Sequence, residues 1–98
     1  MNQKLNQKLK AIFLRRNATI VPGAFNAMTA KMIENEGFEA IYVTGAGLTN
    51  AQLGLPDMAF IGLNEIVNAV FTMREVTNIP LIVDADTGFN NCKKTIKY

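Results

Sequence analysis

The stretch Ile79–Asn91, IPLIVDADTGFNN, decides how the rest of the chain is read. An apolar run reaches Val83 and passes directly into Asp84, Asp86 and Gly88. A continuous apolar run, unlike an alternating one, is the pattern of a parallel strand covered on both faces. Residues two apart in an extended segment project to the same side, so Asp84 and Asp86 would set two carboxylates about 7 Å apart at the strand end. Two readings of the pair stand. Either a hard divalent cation such as Mg²⁺ relieves the two like charges through oxygen ligands, or one acid caps the following turn and the other is solvated.

Upstream, the same grammar repeats. Residues 63–78, LNEIVNAVFTMREVTN, carry Leu63, Ile66, Val67, Val70 and Phe71 at helical spacing. Residues 38–43, FEAIYV, read as a strand. Residues 27–37, AMTAKMIENEG, read as a helix with Asn26 as its cap, Met28, Met32 and Ile33 as its apolar side and Gly37 as its stop. Residues 18–23, ATIVPG, form a β-branched run halted by Pro22 and Gly23, again a strand. Before it, Leu5, Leu9, Ile12 and Phe13 line one side of an amphipathic helix. Helix, then β-α-β-α-β, implies an α/β fold with parallel strands. The methionines at 28, 32, 58 and 73 read as packing.

Composition bounds the function. The chain has 98 residues, 49% of them hydrophobic and 18% charged, with net charge +2. That is a globular profile of one domain at most. The basic residues cluster near the two ends without interleaved aromatics, so no nucleic-acid partner is expected. No apolar run nears the ~18 residues of a membrane span, and no signal peptide is read. There is no histidine, which excludes His-ligated zinc and His catalysis from this chain alone, and the single cysteine, Cys92, excludes an internal disulfide. A reducing, cytoplasmic setting is the expectation.

In parallel α/β sheets ligands bind beyond the carboxyl ends of the strands. Tyr42, Thr44, Gly45, Ala46 and Gly47 follow the second strand, and the DAD acids follow the third, so both groups share one rim. The TGAG stretch reads either as a backbone cradle for an anion or as an ordinary tight turn. It is not the dinucleotide fingerprint, because Asn50 stands where the third glycine belongs. The connection at 44–62 is long and glycine-rich, and within it Asp57 follows Pro56, either as an acid reaching the same cation directly or through water, or as a turn residue. Tyr42 is either a strand-end aromatic with a tied hydroxyl or a catalytic group. Cys92 sits beside Lys93 and Lys94 and reads as a surface thiol.

Taken jointly and in order, PGAFNAMTAKMIENEGFEAIYVTGAG, LGLPD and IPLIVDADTGFNN resemble the isocitrate lyase/phosphoenolpyruvate mutase superfamily, and its methylisocitrate lyase and carboxyphosphonoenolpyruvate mutase-like members in particular. The resemblance runs from Thr19 to Asn90. It implies a (β/α)₈ barrel after an N-terminal helix, often a homotetramer, and Mg²⁺-dependent chemistry on a 2-oxo or 2-hydroxy acid through a pyruvate enolate. It implies Asp84 and Asp86 as metal-site acids, Asp57 as a further acid acting through water, Thr44, Gly45 and Ala46 as the substrate-carboxylate stretch, and Tyr42 beside the substrate. Thr44 and Ala46 depart from the family's Ser and Gly at their positions, which leaves the exact substrate open.

A barrel of this kind takes about 250 residues, and three strands are read here. Residues 1–98 are therefore expected to be one partial, truncated domain: an N-terminal helix at 1–16 and the first βα units at 19–98. The family's KKCGH-like loop is not found, and its cysteine role is not carried to Cys92, which lies too early. The expected function is a methylisocitrate lyase type cleavage of a 2-hydroxy tricarboxylate to pyruvate and succinate, with this chain inactive by itself. The alternatives are a phosphoenolpyruvate mutase-like phosphonate enzyme, a non-catalytic fragment, or a small α/β binding module.

Overall fold

A computed structural model of the chain describes residues 3–58 and 60–89. Asn26 starts the central part of the fold. Its extended backbone and side-chain Oδ1, which accepts from the Thr29 N–H at 2.8 Å, cap helix α2 (Ala27–Asn35). Thr29 returns the bond, its hydroxyl accepting from the Asn26 N–H, so two otherwise orphaned donors are satisfied together. Gly37, at φ 91°, takes the left-handed turn that ends the helix, as its position predicts.

The elements run α1 (Gln3–Arg15), β1 (Gly23–Ala24), α2, β2 (Ile41–Val43), α3 (Gly45–Leu48) leading into a π-helical turn (Thr49–Leu53), α4 (Leu63–Val76) and β3 (Leu81–Val83). The strands form one parallel sheet in the order β1-β2-β3, with Gly23 opposite Tyr42 and Tyr42 opposite Ile82. Ala24, Ile41 and Val43 are buried on the sheet face that α2 and α4 cover, packed with Ala30, Leu48, Ile61, Ile66, Ala69 and Met73. Tyr42 and Ile82 lie on the opposite face and are half-buried.

Four sequence expectations need correction. The first strand is not residues 18–23. The ladder starts where that run ends, with the Pro22 carbonyl accepting from Tyr42 N–H at 2.9 Å. Arg16 and Ala18 are left-handed and turn the chain there, and Ile20 is left 72% exposed. The second strand is shorter than 38–43, because Phe38 N–H is used by the Ile33 carbonyl in closing α2. Met28 and Met32 are 65% and 58% exposed: α2 turns Ala30 and Ile33 to the core, and positions 28 and 32 lie on its far side. Met58 is also exposed, so of the four methionines read as packing only Met73 is in the core. Finally, β3 is only half-buried, not covered on both faces, since no strand lies beyond it among the described residues.

Two side chains tie the far end of the sheet. Arg74 donates to the carbonyls of Thr77 and Ile79 at 2.9 and 2.7 Å, fixing the exit of α4 to the entry of β3. Arg15 makes two hydrogen bonds to Glu39, at 2.8 and 3.0 Å, and holds α1 to the segment before β2. Of the apolar stripe on α1, Ile12 is buried and Phe13 is exposed. Among the described residues no helix is long and apolar enough to cross a membrane.

Candidate active site

The ladder between β2 and β3 continues one step past the strands: Asp84 N–H donates to the Val43 carbonyl at 3.3 Å. That bond sets Asp84 beside the start of the β2 exit loop. Gly45 lies next to the Asp84 carboxylate: a methyl there would stand 3.5 Å from Asp84 Oδ2, an ordinary contact.

Asp84 and Asp86 do come together, but not by strand alternation. The chain turns immediately after Asp84, with Asp86 at φ 45° and its N–H donating to Asp84 Oδ1 at 3.1 Å. A short polar side chain tolerates the left-handed region, and bonding of this kind is how Asp makes a tight turn. Gly88 N–H closes the turn on the Ala85 carbonyl at 2.8 Å, and Phe89 then packs against the core. Asp84 thus caps a turn, as one reading of the pair expects, and its carboxylate accepts from the backbone of the second acid.

Asp57 arrives from the other side. Asp57, Asp84 and Asp86 line one small cleft together with Gly45, Thr49, Ile61, Ile66 and Phe89. The carboxyl of Asp86 is pushed above its ordinary range by burial first, and then by the negative charges of Asp84 and Asp57. Tyr42 is pushed up as well, by burial and then by the nearby negative charge of Asp84. At neutral pH Tyr42 is therefore a phenol and a donor, not a base.

The fit to a cation is partial. The mutual repulsion raising Asp86 is what a bound cation would relieve, and Mg²⁺ needs only one or two carboxylates, filling its other positions with water and substrate. Among the described residues, however, no group of three acids converges as a ready ligand set. A direct contact from two acids at most, with the third reached through water, is the arrangement these side chains can supply.

The TGAG stretch is a helix start, not a free loop. Thr44 caps α3, its hydroxyl accepting from Gly47 N–H at 3.0 Å. The glycine at 47 answers a close approach: a methyl there would lie 2.5 Å from Thr44 Cγ2. Thr44 and Ala46 are half-buried beside the cleft rather than in its wall, while Gly45 lines it. Sequence reasoning did not single out Thr49, Ile61, Ile66 or Phe89. Apolar walls carry no motif, and Thr49 shows itself only once the connection is seen to be helical. Cys92 and the tail after Phe89 lie outside the described residues.

Known proteins resemble this chain in sequence and fold. A profile of the phosphoenolpyruvate phosphomutase family matches residues 9–98. The 2,3-dimethylmalate lyase of Eubacterium barkeri is 37% identical over 90 residues, which is 92% of this chain and 31% of that protein. The 2-methylisocitrate lyase of Aeropyrum pernix is 36% identical over 92 residues, 91% of this chain and 30% of that one. The structure of oxaloacetate acetylhydrolase with the product oxalate superposes with a TM-score of 0.80 at 29% identity, covering 93% of this chain and 34% of that chain. The chain thus spans about a third of the length of its relatives, and its fold is α/β, the first βα units of their barrel. On this evidence it belongs to the phosphoenolpyruvate phosphomutase family, within the phosphoenolpyruvate mutase/isocitrate lyase superfamily.

Proposed function

We propose that this chain carries the cation-binding and carboxylate-binding rim of a Mg²⁺-dependent carbon–carbon lyase of the methylisocitrate lyase type, acting on a 2-hydroxy tricarboxylate to give pyruvate and succinate. The observation that carries the reading is the meeting of Asp57, Asp84 and Asp86 in one apolar-walled cleft at the strand ends. Lyases among the matched relatives support it.

Each residue has a task in this reading. Asp84 and Asp86 hold Mg²⁺, and Asp57 reaches it through water. When bound, Mg²⁺ supplies fixed positive charge against the oxygen charge that develops as the bond breaks. The backbone N–H groups of Gly45 and Ala46 hold the substrate carboxylate. The Thr44 hydroxyl accepts from Gly47 N–H, which leaves its own proton to donate outward to that carboxylate. Tyr42, kept protonated by burial and by the charge of Asp84, stands beside that acid as a neutral phenol.

Calorimetric titration of the 98-residue protein with Mg²⁺, with and without oxalate as a pyruvate-enolate mimic, tests the reading. Saturable Mg²⁺ binding lost in Asp84→Asn is expected. Binding that is indifferent to Asp84→Asn would overturn it.

A further inference from the structure

Thr49 is 1% exposed and stands in the wall of the acid cleft. Its hydroxyl donates to the Gly45 carbonyl at 2.9 Å, and its backbone N–H is shared between the Ala46 carbonyl and that same Gly45 carbonyl. One residue thus holds Gly45 twice. A hydroxyl bonded four residues back bends a helix, and here the helix changes character at that residue, from α at 45–48 to π at 49–53. The π turn ends at Gly54, φ 64°, and three residues later the chain delivers Asp57 to the cleft.

We propose that Thr49 is a positioning residue for the acid rim: its buried hydroxyl clamps the Gly45 carbonyl, holding the Gly45–Ala46 backbone against Asp84 and setting the turn that brings Asp57 across. The contact chain is continuous. Thr49 grips Gly45, Gly45 lines the cleft beside Asp84, and Asp84 receives the Asp86 N–H. Packing alone does not ask for a hydroxyl here, because valine has the same shape and no desolvation cost. The placement of π turns next to functional sites in other proteins agrees with the role.

The inference rests on the proposed cation site, and the experiment separates the two. Thr49→Val removes the hydroxyl and keeps the shape, and Thr49→Ser keeps the hydroxyl. Mg²⁺ affinity is measured by calorimetry, and the Gly45 and Ala46 amides are followed by nitrogen-15 NMR without metal. Thr49→Val is expected to weaken Mg²⁺ by about fivefold, in line with the loss of one internal hydrogen bond. It should also shift both amides and speed their exchange, while Thr49→Ser stays close to the parent in every readout. Unmoved amides in Thr49→Val, or a Thr49→Ser protein as impaired as Thr49→Val, would overturn the clamp. If Asp84→Asn leaves Mg²⁺ affinity unchanged, the cation reading falls, and the amide exchange of the two Thr49 variants still decides the clamp.

Discussion

Gly47→Ala is the substitution whose outcome the structure determines most sharply. The added methyl would sit 2.5 Å from Thr44 Cγ2, with Phe25 Cβ at 3.4 Å and Thr44 Oγ1 at 3.5 Å. Carbon pairs are comfortable near 3.5–4.0 Å, so the first contact is short by about 1 Å and the others are nearly ordinary. Thr44 has two responses. It can stay and overpack, at about 1–3 kcal/mol, or rotate and give up its cap on Gly47 N–H, at about 0.5–2 kcal/mol. Alanine in a helix returns about 0.5–1 kcal/mol over glycine, so the net loss is about 0–1 kcal/mol if Thr44 rotates and about 0.5–2 kcal/mol if it stays. In a Thr44→Ser background the clashing carbon is gone and the cap oxygen remains, so the same substitution should be neutral or stabilising. The four proteins of this cycle are compared by urea unfolding followed by far-ultraviolet circular dichroism. A coupling of about 1–2 kcal/mol is expected, each kcal/mol moving the thermal midpoint by about 4–8 °C in a domain of this size. If Gly47→Ala costs the same in both backgrounds within about 0.5 kcal/mol, the interlock of Thr44 and Gly47 is not what the glycine serves.

Four further outcomes are expected. Mg²⁺ at a hundredfold excess over its dissociation constant should raise stability by about 2.7 kcal/mol; Asp84→Asn should abolish the gain in a thermal melt. Without metal, Asp86→Asn should melt higher than the parent at pH 7, because it removes a charge that burial, Asp84 and Asp57 all disfavour; a lower melt refutes that account of the cleft. Glu39 is held below its ordinary 4.5 by its hydrogen bonds from Arg15. A carboxylate lowered on folding stabilises fully above its unfolded value and loses that effect as pH falls through the folded one. Acid titration below pH 4.5 should therefore loosen α1 in the parent, read by amide exchange of its residues, and Glu39→Gln should show no such pH step. Asn26→Ala removes the Oδ1 acceptor of the α2 capping box and should cost about 1 kcal/mol in urea unfolding.

The parts of the fold legible in sequence are those governed by short-range chemistry. Asn26 and Gly37 bracket α2 because a cap and a left-handed stop are properties of single residues, and α4 follows from a clean helical period. What failed depended on neighbours. Ile20 and Val21 have strand propensity, yet a ladder needs a partner, and by register the residue opposite Val21 is Ala40, outside β2. Met28 and Met32 look like core from their chemistry, but α2 presents Ala30 to the sheet so that backbone and helix can approach closely. The acids were placed on the correct rim with the wrong geometry. Alternation assumes an extended chain, and Asp86 is left-handed.

That last difference bears on how the site is built. Tyr42 lies opposite Ile82, and Asp84 follows Ile82 by two, so Tyr42 and Asp84 share the sheet face away from α2 and α4. The same count of two carries Tyr42 to Thr44. Register alone therefore brings the phenol, the cap hydroxyl and one acid to a common rim, and a slip of one residue would send Asp84 to the helix side. Asp86 depends on the tight turn that Asp84 itself caps. Asp57 depends on neither, since it is carried in by the loop after the π turn, beyond the reach of the sheet. Of the three acids it has the least backbone support, so the clamp of Thr49 on Gly45, at the root of that loop, is where its position is set. A loosened clamp should affect the cleft from the Asp57 side first, leaving the Asp84–Asp86 turn intact.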